Sequence, residues 1–168
     1  MPRLISPAPL LGLIALACFA MLAGALLLQH GFAWEPCTLC IQIRLWLLCA
    51  GVLALLLLGA MALGLRWLSL PLWLGLLAAS GMAVYDNSHL VLLETGLMES
   101  FSCSPFPFYS FYLPLHDYLP GVFQSAGVCG QNDYQWFGLP FTAWTLAGVL
   151  GLFALVLLAA WHSLRATR

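Results

Sequence analysis

Cys37-Thr38-Leu39-Cys40-Ile41-Gln42-Ile43-Arg44-Leu45-Trp46-Leu47-Leu48 decides the fold, because a polar approach turns there into lipid-soluble chain. From Leu45 to Leu65 no side chain carries a formal charge, and the run ends at Arg66. Such a stretch matches the roughly 20 apolar residues a helix needs to cross a bilayer's hydrocarbon. Lipid offers the backbone no water, so the amides must bond one another as a helix. Leu10–Leu28, Trp67–Tyr85 and Phe141–Trp161 share the property. The expected fold class is an all-α membrane protein: a bundle of four transmembrane helices forming one integral membrane domain over residues 1–168.

Composition agrees. Of 168 residues 63% are hydrophobic and 7% charged, with a mean hydropathy of +0.99. A soluble domain carries about 25% charged residues. Lysine is absent and the net charge is −1, which excludes nucleic acid as a partner, since nothing could neutralise its phosphates. The first stretch resembles a secretory signal, but about ten apolar residues continue past Cys18, longer than such a core runs. It is read as an uncleaved span.

Orientation follows from arginine. Arg3, Arg66, Arg165 and Arg168 fall on one side of a four-span chain, which the positive-inside rule makes cytoplasmic, with both termini. Arg44 alone breaks the asymmetry. All six acidic residues lie on the outer side, which would be the periplasm of a bacterial inner membrane. Two outer connections follow, residues 29–40 and a long loop, 86–140, between the third and fourth helices. The long one is rich in Pro, Gly, Ser and aromatic residues and has no helical or strand period. Its cluster Phe101, Phe106, Phe108, Tyr109, Phe111 and Tyr112 suits the bilayer interface, either as an anchor or as a docking surface.

The six cysteines divide by side. Cys18 and Cys49 lie within spans, where a thiol behaves as a small hydrophobe. Cys37, Cys40, Cys103 and Cys129 face outward, where disulfides persist. Four cysteines allow three pairings, and Cys37–Cys40 with Cys103–Cys129 is the natural one. Cys37–Cys40 reads as an inert staple or as a redox pair. Pro36 ends the preceding segment, so Cys40 falls in the first helical turn, where unpaired N–H groups favour an anion. Arg44, four residues on, shares that face. A dithiol so placed can meet a lipid-soluble electron carrier at the membrane surface. Zinc would need a second ligand pair of suitable spacing, and haem attachment a histidine where Ile41 stands, so no metal is expected. Cys103–Cys129 reads equally as a loop clamp or as a second exchanging pair.

These features together resemble the DsbB disulfide-bond formation proteins of bacterial inner membranes, over essentially the whole chain. The resemblance rests on four spans, C-x-x-C at the head of the second, Arg44, and a long outer loop with a cysteine pair. It rests also on Leu113-Pro114-Leu115, Leu119-Pro120, Val122-Phe123, Gly127-Val128-Cys129, Gly138-Leu139 and Trp144. Tyr85-Asp86-Asn87 occupies the place where family members carry a histidine, with His89 two residues later, and Thr142 stands where a proline is common. The resemblance implies an enzyme that reoxidises a DsbA-like periplasmic thiol oxidase and passes electrons to ubiquinone or menaquinone. It makes Cys103 the sulfur attacked by the partner, Cys129 the relay to Cys37, and Cys40 the thiolate facing quinone. Arg44 and His89 become the quinone-binding residues, with Asn87 left open as the alternative to His89. Two rivals are a non-enzymatic scaffold or permease with passive disulfides, and an enzyme like vitamin-K-epoxide reductase. In the latter the loop pair precedes the C-x-x-C, the reverse of the order here.

Overall fold

The computed structural model describes residues 7–98, 106–127, 129 and 134–166. Four helices dominate: α1 (Pro7–Phe32), α2 (Thr38–Ala62), α3 (Arg66–Glu94) and, after the long connection, a fourth over Phe141–Ala166. Each is long and apolar enough to span a membrane. Between α3 and the fourth lie two single turns, α4 (Leu115–Tyr118) and α5 (Pro120–Phe123). A two-residue hairpin follows, β1 (Gln135–Trp136) with β2 (Leu139–Pro140), so the fourth long helix is α6.

Antiparallel neighbours form a closed ring. The α2 helix packs on α1 and α3, and α6 packs on α3 and α1, leaving α2 and α6 diagonally opposed. Helices in lipid gain no hydrophobic drive from meeting, so small residues that allow close approach mark their interfaces. Ala50 and Ala54 of α2 are buried, and a Cβ placed at Gly51 would lie 3.1 Å from the Phe19 ring and 3.2 Å from Cys18 Cβ on α1. Cys18 is fully buried, and both it and Cys49 are free thiols packed in this core. The tight inner turn depends on Gly64, whose φ of +71° falls in the left-handed region that closes a helix C-terminus. There the Leu65 N–H donates to the Ala60 carbonyl at 2.9 Å.

Helix bounds differ from the sequence expectation at the outer ends. Residues Asp86–Glu94 belong to α3, not to a loop. Their polar groups are answered by neighbours: Trp46 Nε1 donates to Asp86 Oδ2 at 2.8 Å, Asn87 Nδ2 donates to Thr145 Oγ1 at 3.0 Å, and Ser88 Oγ donates to the Val84 carbonyl at 2.7 Å. Helix thus costs those side chains nothing. Helix α2 starts at Thr38 with Cys37 as its N-cap, and α1 runs on to Phe32, so the first outer connection shrinks to residues 33–37. The long loop is also less structureless than its composition suggests. Tyr109 and Phe123 bury against Ile41, with Leu45 and Leu48 beside them, covering the outward face of α2.

Candidate active site

Cys37 and Cys40 form a disulfide with Cα atoms 5.1 Å apart. The helix start sets their difference. Cys37, at the N-cap, is fully buried, and its Sγ accepts a hydrogen bond from the Cys40 N–H at 3.3 Å. Cys40, in the first turn, is half-buried and opens onto a cavity of about 590 Å³ at the outer end of the bundle.

All four long helices line that cavity. Cys40, Ile43, Arg44 and Leu47 come from α2; Ala25, Leu28 and Gln29 from α1; Asn87, Leu90 and Glu94 from α3; Thr142, Thr145 and Val149 from α6. Its roof is aromatic: Trp34 stacks on Tyr134 at 4.0 Å and meets Phe141 edge-on at 5.2 Å. The rim includes Leu27 and Trp144, both exposed, so the cavity opens on the flank between α1 and α6. A flat apolar molecule dissolved in a bilayer would enter there.

Arg44 is buried, and its guanidinium is fixed by neutral acceptors. Nη1 donates to Gln29 Oε1 at 2.5 Å and to the Val122 carbonyl at 3.0 Å, and Nη2 donates to the Ala25 carbonyl at 3.4 Å. Among the described residues no carboxylate forms an ion pair with it. Its charge therefore remains available to an anion in the cavity. Such a buried cation in a membrane protein marks a functional position by default. Across from it, Asn87 and Thr145 exchange hydrogen bonds at 3.0 and 3.3 Å, and Thr142 Oγ1 donates to Glu94 Oε2.

The expected site residues divide accordingly. Cys37, Cys40 and Arg44 come together. Cys129 is buried and disulfide-bonded; Cys103 lies outside the described residues, as does its pairing. His89 does not reach the cavity. Asn87 does, and two residues turn an α-helix by about 200°, which puts His89 on another face, beside Tyr85 at 6.3 Å between ring centroids. Gln29, Glu94 and Thr145 were not expected as wall residues, whereas Asn87 stands in the triplet that occupies the place of the family's histidine. The available signal was a polar side chain at the outer end of an apolar run, which interfacial residues share.

Comparison with known proteins identifies the family. The family model "Disulfide bond formation protein DsbB" matches residues 7–159. Disulfide bond formation protein B of Methylococcus capsulatus is 36% identical over 153 residues, covering 89% of this chain and 92% of that protein. Disulfide bond formation protein B 2 of Pseudomonas aeruginosa is 36% identical over 148 residues, 88% of this chain and 85% of its own length. The Idiomarina loihiensis protein of the same name is 30% identical over 141 residues, covering 83% and 77%. With four apolar helices and a C-x-x-C disulfide at the head of the second, this chain belongs to the DsbB family of disulfide bond formation membrane proteins.

Proposed function

We propose that the protein is a thiol:quinone oxidoreductase of the bacterial inner membrane. Both termini are cytoplasmic and both cysteine pairs periplasmic. It reoxidises a DsbA-like thiol oxidase and delivers the electrons to ubiquinone or menaquinone. One observation carries the reading: the half-buried sulfur of Cys40 and the buried Arg44 guanidinium share one wall of an apolar cavity open to the bilayer. That donor set fits a quinone. The apolar walls would suit its ring and tail, and Arg44, Gln29, Asn87 and Thr145 are the polar residues that would hold its oxygens. When bound, a quinone supplies a sink for two electrons and two protons.

The chain's own residues do the rest. The partner's thiolate attacks Cys103, freeing Cys129. Cys129 attacks Cys37, and the electron pair of the broken Cys37–Cys40 bond leaves on Cys40. The first turn of α2 and Arg44 stabilise that thiolate. The partner's second thiol then closes its own disulfide and releases Cys103, which attacks Cys129, re-forms Cys103–Cys129 and frees Cys37. Cys37, buried away from the cavity, closes onto Cys40 as two electrons and two protons leave the pair. A quinone sink is needed because DsbA-type oxidants lie near −120 mV, while structural disulfides lie below about −300 mV and could not oxidise them.

The test follows quinone absorbance after purified protein is mixed with a reduced DsbA-like partner and ubiquinone or menaquinone. Unaltered protein should bleach the quinone and Cys40→Ser should not. Bleaching by Cys40→Ser at the normal rate overturns the proposal.

A further inference from the structure

The segment before Cys129 is joined to the segment before Cys37 by an unusual backbone contact. The N–H groups of Ala126 and Gly127 both donate to the Pro36 carbonyl, each at 3.1 Å. A Cβ at Gly127 would lie 2.7 Å from the Glu35 carbonyl oxygen, 3.3 Å from its carbon and 3.5 Å from the Cys37 nitrogen. The φ of Gly127 is not in the left-handed region, so turn geometry does not demand glycine here. Space demands it. The obstacle is backbone, which cannot swing aside as a side chain would.

Position gives the contact its meaning. Cys37 follows Pro36 directly, and Cys129 stands two residues past Gly127, within about 7 Å of extended chain. Both sulfurs are buried in the same apolar cluster. The docked loop is held at two further points, where the Val122 carbonyl accepts from Arg44 at 3.0 Å and the Gly121 carbonyl lies 3.0 Å from His30 Nε2.

We propose that Gly127 and the Pro36 carbonyl form a backbone clasp that sets Cys129 against Cys37 and governs exchange between the two cysteine pairs. The clasp rests on the relay reading above and adds a positioning residue to it. In the step it governs, Cys129 thiolate bonds to Cys37 Sγ, the Cys37–Cys40 bond breaks, and the electron pair leaves on Cys40; no further oxidant enters.

The test uses the full chain in nanodiscs with Cys40→Ser and Cys103→Ser, leaving Cys37 and Cys129 as the outward thiols. Diamide-driven formation of the Cys37–Cys129 link is followed by peptide mass mapping, with Gly127, Gly127→Ala or Gly127→Val. A clasp displaced by a fraction of an ångström should slow the link about tenfold in the alanine variant and further in the valine one. Linking at the parent rate in both variants overturns the clasp. Hydrogen exchange on the unsubstituted protein tests it independently of how the variants fold. The amides of Ala126 and Gly127 should be strongly protected, and exchange at free-loop rates overturns the proposal. Linking needs no quinone, so a failed quinone assay leaves the clasp standing and a failed clasp leaves the quinone reading intact.

Discussion

The two halves of α2 meet their neighbours by opposite means. Its inner half, Gly51 to Ala62, is held by contact alone: Ala54 and Leu57 are fully buried, and Gly51 lets the Phe19 ring approach. Its outer half buries Gln42 and Arg44, and directs Trp46 Nε1 to Asp86. Polar groups at that depth need partners, and each added hydrogen bond between membrane helices is worth only about 0.6 kcal/mol on average. The outer half is therefore no stronger for its polarity. It is more specific: a cation is held in one place, beside a sulfur, facing a cavity.

If that division is right, damage to the two halves should have different signatures. The largest effect on chemistry should come from Arg44→Met. Losing a charge-assisted hydrogen bond costs about 1.5–3 kcal/mol, so the apparent KM for quinone should rise at least about tenfold. Thermal stability should change little, since an apolar side chain of similar length fills the space. The substitution also frees the Val122 carbonyl, so amides of residues 121–127 should exchange faster. An unchanged KM would remove Arg44 from the cavity's chemistry and leave it as a loop anchor.

Much of this was legible before the fold. Uncharged runs announce four helices because lipid permits no other backbone solution, and Cys37, Cys40 and Arg44 announce a site because helix spacing places them together. The outer end of α3 was not legible. Asp86, Asn87 and Ser88 read as the start of a loop, and only the partners Trp46, Thr145 and the Val84 carbonyl make them helical. Those partners lie 40 and 58 residues away for Asp86 and Asn87, beyond any local pattern. His89 lies off the cavity for the same reason. With the helix extended, phase decides which residue meets the cavity, and phase favours Asn87. Gly127 stood out only as part of Gly127-Val128-Cys129; its need for space was not legible, because it arises from Glu35 and Cys37, far back in the chain.

The inner half should respond in the reverse manner. Gly51→Leu drives atoms into Phe19 and Cys18, which stand 3.1 and 3.2 Å from a Cβ there. Overpacking of this kind costs about 1–3 kcal/mol. Thermal unfolding in detergent should begin at a lower temperature, while the KM for quinone in the folded fraction stays at its original value. A raised KM without lost stability would show that the two halves are mechanically one unit.

The smallest effect sharpens the boundary between α2 and the loop that covers it. Tyr109 is buried against Ile41 and Phe123, and among the described residues its hydroxyl has no hydrogen-bond partner. Burial pushes its phenol up to about 12, with the Arg44 charge pulling partly the other way. An unfolded tyrosine titrates near 10. The folded chain thus holds this proton more tightly than the unfolded one. Its contribution is complete below about pH 10 and is lost as pH climbs from there through about 12. Tyr109→Phe removes both the unanswered hydroxyl and that titration. It should gain about 1 kcal/mol at neutral pH, and its advantage in unfolding temperature over the parent should widen between pH 9 and pH 11. An advantage that stays flat across that range would mean the Tyr109 hydroxyl already meets water, and that the loop lies less tightly on α2 than Ile41 and Phe123 imply.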